Sequence, residues 1–265
     1  MNQRIAFIVC GQPRHINMYE EFMSKIRFEF DHEIDFFFHF WNDSHDNKIV
    51  DTLKPKLYKF EPQIDFTDFV NNLNTKDKNI SNYRPVSNYV SYAYSNQIAF
   101  GLKKEYEEKN NFVYNLVFRI RFDLFILNTL TFVESRLPIY KKNLNTVDNI
   151  RFYPSDQSPK LLGLGDLFIF SNSNYMDLFL NLYDDITNAF NVAENNIILS
   201  SRDKHYCGES LLTYTLDQFL KRKSLAGIGL NIIKIPFLLR RSNYYKITQD
   251  FEYSFANNYK GIQTI

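Results

Sequence analysis

Apolar and polar positions along the chain fall into two regimes. Ile5 to Cys10 is an unbroken apolar run that ends at Gly11-Gln12-Pro13-Arg14. A run of that kind predicts a strand covered on both faces, as in a parallel sheet. A helical segment is expected from Arg14 to Phe30. Ile34 to Trp41 is a second apolar run, closed by Asn42-Asp43-Ser44. Asp46 to Leu53 predicts a short helix stopped before Pro55, and Lys56 to Phe60 a third strand. Strand, helix, strand, helix, strand is the order of an α/β fold with a mostly parallel central sheet flanked by helices. The polar, Asn-rich stretch 61–85 reads as a loop or a weakly ordered insertion. Val86, Val90, Tyr94, Ile98, Leu102 and Tyr106 then recur every four residues and predict a long helix, ended by Asn110-Asn111.

The second half is less regular. Leu116 to Phe125 and Asp148 to Tyr153 read as strands. Gly163-Leu164-Gly165-Asp166 leads into a strand from Leu167 to Phe170, and Ser171-Asn172-Ser173 is suited to cap a helix over Asn174 to Phe190. Glu209 to Lys223 is an amphipathic helix. Asn231 to Leu239 is a last strand, placed at an edge by Pro236. No linker interrupts the pattern, so one domain over 1–241 is expected, with a tail over 242–265 packed on it.

Composition adds one unusual feature. The 265 residues include 26 Phe and 18 Tyr but a single Trp, and aromatics make up 17% of the chain. That content excludes global disorder. Most of the Phe residues fall inside predicted strands, such as Phe36, Phe38, Phe118 and Phe122, which points to core rather than sugar-stacking surface; Trp41, at a strand end, remains a stacking candidate. With 31 basic and 30 acidic residues the net charge is +1, so no global field draws the protein to nucleic acid. The charge is uneven, however: Gln218 to Lys246 holds seven basic residues and no acidic one. That segment reads either as a solvated helix end and tail or as an anion or anionic-lipid patch. Two cysteines cannot make a disulfide framework. The Ile5–Cys10 run is too short for a signal-peptide core, so a cytoplasmic protein is expected, peripheral to the membrane if the basic segment touches lipid.

Candidate chemistry collects at strand ends. On a strand through Leu116 to Leu124, Phe118, Ile120, Phe122 and Leu124 share one face, and Arg119, Arg121 and Asp123 share the other. Two arginines and a carboxylate on one face mean either an outer strand with a wet face, an internal salt-bridge ladder, or a strand opening into a cleft that holds a charged ligand. In the third case Asp123 is placed to hold a divalent metal while the arginines offset phosphate charge. Gly11, Gln12 and Arg14 lie at the carboxyl end of the first strand, where open α/β sheets bind ligands, although Gly and Pro also suit any turn. Trp41 and Asp43 at the second strand end are candidates for a ring and a polar contact, with core packing and capping as the alternatives. Asp166 and Glu209 are candidate acids, each also readable as a turn or first-turn residue. His39, inside an aromatic strand, reads as structural. There is no Walker A loop, no G-x-G-x-x-G, no zinc spacing and no nucleophile elbow.

Taken in order, these pieces resemble a family. They are the Gly-Gln-Pro-Arg strand end, the aromatic–His–aromatic–Trp segment, the Phe118-Arg119-Ile120-Arg121-Phe122-Asp123-Leu124 strand, Gly165-Asp166-Leu167-Phe168, and Glu209-Ser210-Leu211-Leu212. The set is similar to the bacterial and large-virus glycosyltransferases of surface-polysaccharide synthesis, over roughly residues 4–241. The resemblance implies a GT-A-like nucleotide-sugar-binding fold and transfer of a sugar from a nucleotide-diphosphate donor to a glycan or lipid-linked acceptor. It further implies donor binding by Gly11, Gln12, Arg14, Trp41, Asp43, Arg119, Arg121, Arg240 and Arg241. Asp166 and then Glu209 are the candidates for the base that an inverting enzyme needs. A divalent cation, Mn2+ or Mg2+, would sit on Asp123, but the Asp-x-Asp of the common pattern is absent: position 121 is Arg. A non-catalytic glycan-binding protein and a nucleotidyl- or phosphotransferase are the alternatives.

Overall fold

The computed structural model describes residues 3–12, 17–41, 46–72, 86–121, 124–126, 129–132, 151–154, 168–185, 215, 218, 222, 229–230 and 237–239. The first strand, β1 (Arg4–Gly11), is followed by α1 (Asn17–Lys25), β2 (Ile26–Phe28), β3 (Glu33–Trp41), α2 (Asp46–Leu53) and β4 (Leu57–Glu61). Next come α3 (Thr67–Asn72), the long α4 (Val86–Asn110), β5 (Leu116–Ile120), β6 (Leu124–Ile126), β7 (Leu130–Phe132) and β8 (Arg151–Pro154). β9 (Phe168–Ser171), α5 (Ser173–Met176), a 3-10 helix (Asp177–Asn181), β10 (Gly229–Leu230) and β11 (Phe237–Leu239) complete the order.

Seven strands form one sheet in the order β10-β8-β9-β5-β1-β3-β4. β1 runs parallel to both β3 and β5, β3 parallel to β4, and β10 parallel to β8; β9 is antiparallel to β5 and β8. The sheet is therefore mostly parallel, as the strand and helix order requires. β2 pairs with β7 and β11 with β6 in two small sheets.

Strand periodicity sorts the aromatics. Ile5, Phe7 and Val9, Phe38 and Phe40, Leu116, Phe118 and Ile120, and Phe168 and Phe170 face one core, together with Phe22 of α1 and Ile49 of α2. In this core a ladder of rings crosses four strands in register. Phe36 lies beside Phe7 at 5.7 Å, Phe7 stacks on Phe118 at 4.7 Å, and Phe118 stacks on Phe170 at 4.8 Å; each is also a backbone pair. The Phe excess is thus core, with offset-stacked pairs adding to area burial.

The opposite face carries Ala6, Ile8, Cys10, Phe37, Trp41, Val117 and Ile169 under α4 and the 3-10 helix. The series of four predicted α4 but not its buried stripe. Because an α-helix has 3.6 residues per turn, steps of four drift around the axis, and Tyr94, Ile98, Leu102 and Tyr106 end partly exposed. The buried stripe mixes steps of three and four instead, through Val86, Val90, Ala93, Asn96, Phe100, Lys103 and Glu107. Two of these are charged, and they face each other as a buried ion pair. Lys103 Nζ bonds Ser173 Oγ, reaches Asp177 Oδ1 at 2.8 Å and lies 3.2 Å from Glu107 Oε2, while Glu107 Oε1 accepts from Ser173 Oγ at 2.6 Å and from the Tyr114 N–H at 2.9 Å.

Several expectations change at their ends. The segment expected as one helix over 14–30 gives α1 and then β2, whose Ile26–Phe28 pair with Leu130–Phe132. The 61–85 stretch contains α3, entered where Asp65 accepts from the Thr67 N–H at 2.9 Å and its hydroxyl at 2.6 Å. Asn172 caps as expected, accepting from the Tyr175 N–H at 3.1 Å. The helix after it is short and turns 3-10 from Asp177. Among the described residues no helix is long and apolar enough to cross a membrane. The boundary at 241 and the tail over 242–265 lie outside the described residues.

Candidate functional site

Parallel pairing brings the carboxyl ends of four strands to one edge of the sheet. Gly11 pairs with Phe40, Trp41 with Glu61 and Val9 with Ile120, so Gly11, Trp41, Glu61 and Arg121 all stand at this edge. β9 joins it from the opposite direction: Phe168 pairs with Ile120, so β9 begins where β5 ends. This is the edge at which open α/β sheets bind ligands.

Gly11 has φ +110°, a conformation that L side chains avoid, and no atom lies within 4 Å of where a Cβ would stand. Glycine is thus required by the backbone rather than by crowding from the described residues. Gln12 follows, exposed.

Beneath this strand end lies a buried polar cluster. Arg119 is 1% exposed. Its Nε donates to Asn96 Oδ1 at 3.0 Å and its guanidinium lies 4.8 Å over the Tyr92 ring. The Cys10 thiol donates to the same Asn96 oxygen at 3.2 Å, and Asn96 Nδ2 donates to the Tyr92 carbonyl at 2.7 Å. Burial pushes the Cys10 thiol up against the pull of Arg119, which keeps it a donor. Arg121 is half-buried and near enough for its charge to act on the same thiol. The strand expected over 116–125 is divided: β5 ends at Ile120 and β6 pairs with β11 in another sheet, so Arg121 follows β5 rather than lying on its face, and the two positive charges meet near the Cys10 thiol at this edge. β5 is an interior strand of the sheet, which removes the wet-outer-strand reading.

A second cluster sits two strands away. His39 is fully buried and its ring lies 2.7 Å from both Glu61 Oε1, through Nε2, and Ser95 Oγ, through Nδ1. Burial lowers the basicity of His39 against the pull of Glu61. Partial burial of Glu61 opposes ionisation, but bonds from Lys59, His39 and Tyr94 outweigh it and hold the carboxyl below its ordinary range. The assignment follows: a neutral imidazole donates from Nε2 to an ionised Glu61, and Nδ1 accepts from the Ser95 hydroxyl. Lys59 Nζ closes on Glu61 Oε2 at 2.8 Å. Trp41, 4% exposed, stacks on Tyr94 at 5.6 Å and meets the edge of His39 at 4.9 Å.

Of the residues singled out from sequence, Gly11, Gln12, Trp41, Arg119 and Arg121 stand at or directly beneath the carboxyl edge. Arg14, Asp43, Asp123, Asp166, Glu209, Arg240 and Arg241 lie outside the described residues. Arg222, in the basic segment, is held by Asp185 in a two-point contact at 2.9 and 2.8 Å. Glu61, Lys59, Ser95, Asn96 and Tyr94 were not anticipated. For Glu61 a signal existed, a carboxylate closing a strand as Trp41 closes its neighbour; for Ser95 and Asn96 none did, since mid-helix polar residues usually face water. Among the described residues no group of three His, Cys, Asp or Glu side chains is arranged to hold a metal ion, and Glu61 is already engaged by three cationic or donor neighbours.

No family model matches the chain and no curated protein does. Among the solved structures that resemble it are two at low identity. Mouse xyloside xylosyltransferase 1 in its apo form is 12% identical, with 86% of this chain and 84% of that chain covered and a TM-score of 0.36. A glycosyltransferase involved in glycosylation of the major capsid of PBCV-1 is 8% identical, with 87% and 81% covered and a TM-score of 0.30. Likeness at this level places the chain in no family.

Proposed function

We propose that the chain is a GT-A-like glycosyltransferase that moves a sugar from a nucleotide-diphosphate donor to a glycan or lipid-linked acceptor, using the carboxyl edge of β1, β3, β4 and β5. The observation that carries this reading is the pairing of a glycine-shaped strand end with two arginines beside it, Arg119 on the adjacent strand and Arg121 just past that strand's end. Glycosyl transfer expels a nucleoside diphosphate, so negative charge grows on the leaving phosphates and must be met by fixed positive charge. Gly11 and the Gln12 backbone give phosphate oxygens close access. Arg121 supplies a guanidinium at the edge, and Arg119 adds its charge from below. Arg14, close to Gln12 in the sequence, and Arg240 and Arg241 are the further donor-binding candidates. Asp43 is the candidate for a polar contact to the nucleoside.

For an inverting reaction the acceptor hydroxyl must lose its proton to a carboxylate. Asp166 precedes β9, which starts at this edge, and remains the first candidate, with Glu209 the second. A divalent cation would be held by Asp123. The described residues do not by themselves make such a site, and the steps above run on the chain's own cations.

The test is product analysis with a panel of nucleotide sugars, with and without Mn2+, on the full chain and on Arg121→Ala and Asp123→Asn. Release of nucleoside diphosphate from at least one donor, reduced about tenfold or more in Arg121→Ala, is expected. A drop in Asp123→Asn confined to the Mn2+ arm would assign the metal. Pyrophosphate as the product would make the chain a nucleotidyltransferase. Silence with every donor, alongside glycan binding by calorimetry, would make it a glycan-binding protein.

A further inference from the structure

We infer that Lys59, Glu61 and Tyr94 form a binding site for a vicinal pair of hydroxyls, at the β4 end of the carboxyl edge. The inference deepens the proposed function and rests on its reading of this edge as the ligand-binding side.

The argument is one of hydrogen-bonding capacity. An ionised carboxylate offers about four acceptor positions and an ammonium three donors. Glu61 takes bonds from His39 Nε2 at 2.7 Å, from Lys59 Nζ at 2.8 Å and from the Tyr94 hydroxyl. Lys59 spends its donors on Glu61 and Tyr94. Among the described residues, that leaves one acceptor position on the carboxylate and one donor on the ammonium of a contacting pair. Both groups reach solvent, with side-chain exposures of 18% for Glu61 and 42% for Lys59. A diol matches that pair: one hydroxyl donates to Glu61 while its neighbour accepts from Lys59.

An ordinary surface ion pair would be too loose for such recognition. This one is held from behind. The buried His39 ring anchors Glu61 and is itself anchored by Ser95 on α4. Tyr94 is stacked on Trp41 with 17° between the rings, and Tyr183 stands across Tyr94 at 5.3 Å and 87°. The polar trio therefore sits on a rigid aromatic wall, which lowers the entropy lost on binding. It stands two strand spacings from Gly11, roughly 10 Å, a separation on the scale of a nucleotide laid along the edge. The diol is supplied either by the ribose of the donor or by a pyranose.

Trp41 is the only tryptophan and touches Tyr94, so its emission reports on the site. The experiment titrates the full chain with phosphate-free probes: uridine and guanosine, their 2′,3′-dideoxy counterparts, and methyl mannoside with its vicinal cis-diol. Trp41 fluorescence and ligand-observed saturation-transfer NMR are read in parallel. Saturable binding of at least one diol probe is expected, weakened about tenfold or more in Glu61→Gln and in Lys59→Met. Nucleoside binding lost in the dideoxy forms assigns the ribose, and binding of methyl mannoside alone assigns the pyranose. Binding that ignores the diol, binding unchanged in both variants, or no binding of any diol probe overturns the inference. Lys59→Met alters an exposed side chain, so its result stands even if Glu61→Gln disturbs the fold. The probes carry no phosphate, so diol binding without turnover of any nucleotide sugar would sink the proposed function and leave this site standing; turnover insensitive to Glu61 and Lys59, without diol binding, would do the reverse.

Discussion

His39 shows how one buried side chain links stability to pH. Burial holds its folded-state basicity below the ordinary value of 6.5, and Glu61 is held below 4.5. Each group therefore takes up a proton more readily in the unfolded chain, and stability must fall as pH falls. The histidine contribution is lost first, starting near pH 6.5 and continuing until the folded-state value is reached; the carboxylate contribution is lost below pH 4.5. Urea midpoints measured across this range should decline on acidification in the wild type. In His39→Gln the decline between the two values should flatten, because Gln does not titrate. Equal slopes in the two proteins would show that the proton uptake lies elsewhere.

At the scale of elements, α4 is held to the segment after β9 by charge as well as by apolar contact. Lys103 is fully buried with Glu107 and Asp177 around it, and Lys104 reaches Asp177 at 3.0 Å from the solvent side. Removing one partner of a buried pair leaves an uncompensated charge. Lys103→Met should cost about 3–5 kcal/mol in equilibrium unfolding. Glu33→Gln, which breaks the exposed Arg4–Glu33 contact at 3.5 Å, should stay within about 0.5 kcal/mol. If the two substitutions cost the same, the buried network is not what joins α4 to α5. β4 shows a different use of charge. It is the last strand of the sheet order, flanked by Pro55, Lys56 and Pro62 and carrying Lys59, features that discourage a second chain from pairing with an open edge.

Across the whole molecule the sheet couples two cores. The ladder of Phe36, Phe7, Phe118 and Phe170 lies on one face, and Trp41 with α4 on the other. Phe118→Ala should cost about 3–5 kcal/mol by cavity formation. Because both faces belong to the same strands, the loss should appear in full in the unfolding transition followed by Trp41 emission, although Phe118 and Trp41 are on opposite faces. An unchanged Trp41 midpoint would mean that the two cores unfold separately. The same coupling matters for function, since the strand end at Gly11 and the charge at Arg119 and Arg121 are held by strands shared between the cores.

What the chain determined by itself is the set of features that backbone geometry imposes locally. The side-chain period of two in β1, β3 and β5 put Arg119 opposite Phe118 and Ile120, as the structure shows. The helical period announced α4, and Asn172 announced its own cap. The strand and helix order also implied a largely parallel sheet, and with it a carboxyl edge at Gly11 and Trp41. Tertiary structure decided what pairwise distance controls. It ran β9 antiparallel to β5, gave the Arg119 guanidinium Asn96 and the Tyr92 ring from α4, and brought His39, Glu61 and Ser95 together from β3, β4 and α4. Those partners are far apart in sequence. Their meeting depends on strand order, register and the rotation of α4 about its axis, none of which leaves a periodic trace along the chain.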